Sequence, residues 1–146
     1  MKKEQIDQWV QRDQIRKRLL DKDRVRSMIE SSTTNMIIVK TVPLTEQSAI
    51  LIFRETYESV RQLGDAKWWL SGYEPRSHEV SMELLQEMDI KEKIRLNHLN
   101  RFKKIRNDAN YRGFRVTIEQ AKEVLEFWDT CSQEIISFLT KEIEKA

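Results

Sequence analysis

The stretch IRNDANYRGF, residues 105–114, gathers residue types suited to holding an anion. Arg106 and Arg112 are cations, Asn107 and Asn110 carry amide donors, and Tyr111 carries a phenol. The stretch closes a basic block: residues 91–115 contain nine Lys or Arg against two acids, Glu92 and Asp108, a local charge of +7. The whole chain is only +2, and residues 116–146 set three Lys against seven acids. A block of one sign attracts phosphates even when the whole chain is nearly neutral. The residues alone leave a second reading open, a solvated helix face.

Other chemistry is poorly represented. Three scattered glycines build no phosphate-cradling loop. His78, His98 and Cys131 are the only soft metal ligands apart from methionines, and none pairs in an HExxH or CxxC spacing, so neither a metal nor a cofactor is expected. Cys131 falls on an apolar helix stripe and reads as packing. His98, between Ile94 and Phe102, reads as a core or interface histidine. His78 follows a helix-capping serine, Ser77, and reads as a first-turn structural residue. No nucleophile elbow supports a serine triad.

The elements that must position these residues are helical. The 146 residues fit one domain, 1–146, and with 39% hydrophobic and 34% charged residues but only three Gly and two Pro they favour helices over an all-β fold. One helix is expected over residues 3–20, with a break near Asp13. A second follows a cap at Asp21 or Asp23 and carries Val25, Met28, Ile29, Ser32, Met36 and Val39 at helical spacing. The run MIIVK reads as part of it, because no other apolar run of strand type is present to pair with it. A third helix spans Thr45 to Ser71 with the stripe Ala49, Phe53, Tyr57, Val60, Leu63, Lys67 and Leu70. Gly72 stops it, and the internal Gly64 implies a kink or a close helix approach. Of the adjacent Trp68 and Trp69, one is expected in the core and the other at an interface.

Tyr73 to Arg76 reads as a tight connection. A fourth helix runs from Ser77 to Met88, and a fifth from Ile90 to Asn110 with Ile94, His98, Phe102, Ile105 and Ala109 on one stripe. Thr117 and Gln120 form a capping box for a last helix to Glu144, whose stripe runs from Ile118 to Leu139 and includes Phe138. The expected fold class is all-α, an antiparallel bundle of five to six helices. No apolar run approaches the roughly 18 residues of a membrane span. The start, MKKEQIDQWV, lacks the apolar region of a signal peptide, and a single cysteine suits a reducing compartment, so a cytoplasmic location is expected.

Two stretches together resemble the HEPN domain family, helical domains linked to nucleotide and RNA processes. YESVRQLGDAKWWLSGYEPRSHEVSMELLQ, residues 57–86, is similar to that family's long helix, Gly-Tyr turn and Ser/Thr-His helix start. RNDANYRGFRVTIEQAKEVLEFW, residues 106–128, is similar to its Arg-polar-x-x-x-His helix end followed by a closing helix opening Thr-x-x-x-Ala. The resemblance covers roughly residues 20–144. It implies a homodimer whose Arg-to-His motif faces a cleft, and, in many members, metal-independent RNA cleavage.

Carried onto this chain, the motif arginine is Arg106, the polar residue after it Asn107, and the histidine position Tyr111. Arg106 and Tyr111 are thus the tentative catalytic pair. A phenol, with a reference pKa of about 10, is a poor proton shuttle at neutral pH beside imidazole at about 6.5. Loss of nuclease chemistry with retention of binding is therefore expected. The expected phosphate- or RNA-contacting set is Lys103, Arg106, Asn107, Asn110 and Arg112. Helical spacing puts Arg106 and Asn110 on one side and makes Asn107 and Tyr111 a neighbouring i, i+4 pair. The plainer alternative has Arg106 only binding the last carbonyls of its own helix.

The leading expectation is a cytoplasmic, dimeric RNA- or nucleotide-associated binding module, with a nucleotidyltransferase as a partner of the toxin–antitoxin kind. The first alternative is an active metal-independent ribonuclease using Arg106, assisted by Tyr111, Asn110 or His98. The second is a structural protein-interaction module.

Overall fold

The computed structural model describes residues 1–146 as an all-α bundle with one small β-ribbon. The helices are α1 (Lys3–Gln11), α2 (Lys22–Val39), α3 (Ala49–Leu70), α4 (His78–Gln86), α5 (His98–Tyr111) and α6 (Ile118–Lys145). The ribbon pairs β1 (Ile15–Lys17) with β2 (Tyr73–Pro75), antiparallel, with Ile15 opposite Pro75 and Lys17 opposite Tyr73.

Local chemistry sets the helix starts. Asp21 accepts the Arg24 amide at 3.0 Å, and Ser77 accepts the Val80 amide at 3.4 Å. Thr117 and Gln120 exchange both bonds of the capping box at 3.1 and 3.0 Å, as their spacing predicts. Before α3, Thr45 and Ser48 bond each other's amides at 2.8 and 3.1 Å. That closed turn delays the helix to Ala49.

α3 is the axis, packed by α2, α4 and α6. Ala49, Ile52, Phe53, Val60 and Leu63 are buried along it in a continuous core that takes in Leu99 and Phe102 of α5 and most of the inward stripe of α6. Gly64 explains how closely α4 approaches. A Cβ at this position would lie 2.5 Å from the Ser81 carbonyl oxygen, so only glycine fits between the two helices.

Four expectations are corrected. The N-terminal helix ends at Gln11, Asp13 takes a left-handed φ of 58°, and the chain turns into β1. Ile15 then buries beside Trp68, Val80 and Leu84, a second small core that the single-helix reading of residues 3–20 had no place for. The connection Tyr73 to Arg76 contains β2.

The fifth helix begins at His98, after a 3-10 turn at Lys93–Asn97. On one continuous helix Ile90 would point about 180° away from Leu99. Breaking the helix lets Ile90, Leu96 and Leu99 all bury, and leaves Ile94 81% exposed. Trp68 and Trp69 are both buried: Trp68 donates to the Val80 carbonyl at 2.9 Å, and Arg24 lies 4.5 Å from the Trp69 ring centre. Phe138 is partly exposed, with the Lys67 ammonium 5.4 Å from its ring centre. No helix is long and apolar enough to cross a membrane.

Candidate functional site

Tyr57, Arg61 and Asp65 recur every four residues on α3 and therefore share one face, with Glu58 beside them. The N-terminal turn of α4 covers this row with His78 and Ser81. α5 brings Arg106, whose guanidinium carbon lies 5.5 Å from the centre of the Tyr57 ring. Arg61 bonds both Glu58 and Asp65, and Ser81 donates its hydroxyl to Asp65. Tyr57 is 1% exposed and Asp65 8%.

The electrostatics follow from burial. Desolvation raises the Asp65 pKa by more than Arg61 and Ser81 pull it down, so the carboxyl sits above its ordinary value. Burial also opposes ionisation of Glu58, but the hydrogen bond and charge of Arg61 outweigh it and hold the carboxyl below its ordinary value. Burial pushes the Tyr57 phenol up to about 12 against the opposing pull of Arg106 and Arg61. His78 is pushed down by burial, then by Arg61 and Arg106, with Glu58 offsetting part of the effect. The imidazole is therefore neutral at pH 7. The Tyr57 hydroxyl, Arg61 Nε and His78 Nδ1 are enclosed without a hydrogen-bond partner in the chain.

The residues singled out in the sequence divide into three groups. Arg106 is half-buried and makes no hydrogen bond or ion pair within the chain. It does not cap its own helix; it stacks toward Tyr57. Asn110 shares its side, as helical spacing predicts, and accepts a 3.0 Å bond from Arg54 Nε of α3. Asn107 and Tyr111 lie on the open surface, with Tyr111 78% exposed. Tyr111 thus points away from the enclosed cluster that Arg106 joins. Lys103 pairs with Glu79 at 3.5 Å, and Arg112 lies 3.9 Å from Asp108. His98 sits edge-on to Phe102 at 6.2 Å between ring centres, a packing contact.

The basic block is partly neutralised by distant acids that sequence order conceals. Arg101 pairs with Glu123 of α6 and Lys103 with Glu79 of α4, while Arg95 pairs locally with Glu92. Lys91, Lys93, Lys104, Arg106 and Arg115 are the cations of the block whose side chains have no acidic partner. Near Arg115, an open cleft of about 440 Å³ separates the start of α3 from the α5–α6 turn, lined by Glu46, Gln47, Ile50, Ala109, Phe114 and Arg115 among others.

Sequence reasoning missed Glu58, Arg61, Asp65 and Ser81, and assigned His78 only its place in the first turn. The available signal was Arg61 and Asp65 continuing the register of Tyr57 along a helix whose stripe is otherwise apolar. A charged pair in such a register has to be buried together. No group of three or more His, Cys, Asp or Glu side chains is arranged to hold a metal. Burial pushes the Cys131 thiol up to about 11, and it is fully enclosed, a packing residue in keeping with its stripe position. No family profile, curated protein or solved structure matches the chain.

Proposed function

We propose that this protein is a HEPN-like helical module that binds RNA or nucleotide phosphates through the α5 face, centred on Arg106. The supporting observation is the state of that guanidinium. It is held over the Tyr57 ring, a contact that fixes its position without consuming its N–H donors. An arginine so oriented, with no carboxylate of its own, matches the fork geometry of a phosphate. Asn107 adds a surface amide, and Lys104 and Arg115 add unpaired charge. Lys103, Arg112 and Asn110, already engaged within the chain, contribute less.

The reading includes a cytoplasmic homodimer. Adjacent Ile37 and Ile38 on α2, 65% and 59% exposed, supply apolar surface for self-association away from α5. A nucleotidyltransferase partner of the toxin–antitoxin kind belongs to the same reading, and co-purification with such a protein tests it. Light scattering tests the dimer; a monomer at micromolar concentration removes that part. For the site, titration of a labelled RNA oligonucleotide is expected to show Arg106→Ala binding about tenfold more weakly than the parent, as for loss of a charged hydrogen bond. Equal affinity excludes Arg106 as the anchor.

A second reading, metal-independent ribonuclease, is favoured by one specific feature. His78 brings a neutral imidazole among the charge neighbours of Arg106, the group position 111 lacks. Such an imidazole takes the proton of a ribose 2′-hydroxyl as that oxygen attacks the adjacent phosphorus, and the P–O5′ bond breaks. RNA cleavage in EDTA that is abolished in both Arg106→Ala and His78→Ala would replace the binding reading with this one. RNA affinity that is absent or insensitive to salt replaces both with a protein-interaction module.

A further inference from the structure

Beyond α5 the chain exposes two aromatic rings three residues apart, Tyr111 at 78% and Phe114 at 58%. Both are placed by backbone structure. Tyr111 ends α5, and the Phe114 amide donates to the Asp108 carbonyl at 3.2 Å across the left-handed Gly113, whose φ is 69°. Lys104, Asn107 and Tyr111 follow each other at spacings of three and four, so they form one exposed ridge about 10 Å long. Lys104 on this ridge, Arg106 beside it and Arg115 past its end are cations with no acid partner. Phe114 also forms one wall of the 440 Å³ cleft, whose other residues include Glu46 and Ile50. Glu46 has no cationic partner, so the cleft repels phosphate while its apolar wall accepts a flat ring.

From this juxtaposition we infer that the α5 ridge and its turn bind single-stranded RNA, with bases stacked on Tyr111 and Phe114 and phosphates along Lys104, Arg106 and Arg115. The inference rests on the phosphate-binding reading above and adds the strand state of the ligand. Exposed rings recognise base faces, which are open in a single strand and closed inside a duplex. A second copy of the chain is a poorer occupant. A two-fold contact across this face sets Lys104, Arg106 and Arg115 against their own copies, and the only acid on the adjoining turn of the helix, Asp108, already faces Arg112.

The test is fluorescence anisotropy with a 12-nucleotide RNA, single-stranded and annealed to its complement. The proteins are the parent, Arg106→Ala, and the double variant Tyr111→Leu with Phe114→Leu, which keeps apolar bulk but removes the rings. The expected result is a single-strand preference of roughly tenfold or more that the double variant loses, with its melting temperature and duplex binding unchanged. Duplex and single strand bound equally, or a double variant that binds the single strand like the parent, overturns the stacking inference. If Arg106→Ala still weakens binding in that case, the phosphate reading survives alone. No binding of either RNA by the parent overturns both. A parent dimer that the double variant converts to monomer, with no change in RNA affinity, reassigns the rings to self-association.

Discussion

Two regions of this protein use similar residue types to opposite ends. On α3, Glu58, Arg61 and Asp65 bond one another under α4, and Ser81 completes the set. At the end of α5, Arg106 and Arg115 have no such partners, and Tyr111 stands in the open while Tyr57 of α3 is enclosed. A buried charge must be matched by the fold, because leaving it unmatched costs several kcal/mol. An unmatched cation at the surface costs little and keeps its donors for a ligand. The contrast separates residues that hold α3 to α4 from residues free to bind, and Arg106 lies at the boundary, touching one cluster and belonging to the other.

Substitutions sharpen or break this contrast. Asp65→Ala leaves Arg61 half matched and Ser81 without its acceptor, and is expected to cost about 3 kcal/mol in urea unfolding. A loss below about 1 kcal/mol would mean the cluster is a surface feature after all. Gly64→Ala drives a methyl group toward the Ser81 carbonyl and is expected to cost about 2 kcal/mol, even though alanine favours the helix by about 1. A stabilised variant would show that α4 can withdraw without penalty.

Arg106→Ala removes a ring contact worth roughly 0.5–1 kcal/mol, so its unfolding midpoint should barely move while RNA affinity falls. A large stability loss with unchanged affinity would transfer Arg106 to the structural cluster. The smallest effect concerns pH. His78 in the native state titrates below the value near 6.5 of an unfolded histidine. As pH falls from 7 through that window, the unfolded state binds more protons than the native state, so stability falls. Its loss is complete once pH drops below the native pKa. In His78→Asn this part of the pH dependence should vanish; an unchanged slope of stability between pH 7 and 5 would show that His78 titrates as a free surface residue.

Much of the architecture was legible in residue order because it depends on local rules. The Thr117–Gln120 box, the Ser77 cap and the stripe of α6 each follow from residues a few positions apart. What escaped depends on distant pairing. β1 has only three residues, and nothing near Ile15 announces that Pro75 will lie opposite it. The fifth helix was drawn too long because Ile90 and Ile94 look helical in isolation, whereas only a broken chain buries Ile90 together with Leu99. The site was partly legible for the same reason. Arg106 and Asn110 share a side as helix geometry requires, but the enclosure of Arg106 by Tyr57, and the nearness of His78, depend on how three helices pack. The +7 count overstated the free charge, since Glu79 and Glu123 reach in from α4 and α6.

The most direct test of the central claim is the salt dependence of RNA affinity in the parent and in Arg106→Gln, a neutral replacement that retains an amide donor. If Arg106 and its unpaired neighbours neutralise phosphates, the logarithm of the affinity falls linearly with the logarithm of salt concentration. The slope should be smaller in the variant by about 0.7, the amount for one phosphate contact on a single strand. An affinity independent of salt, or identical slopes in parent and variant, would contradict the account.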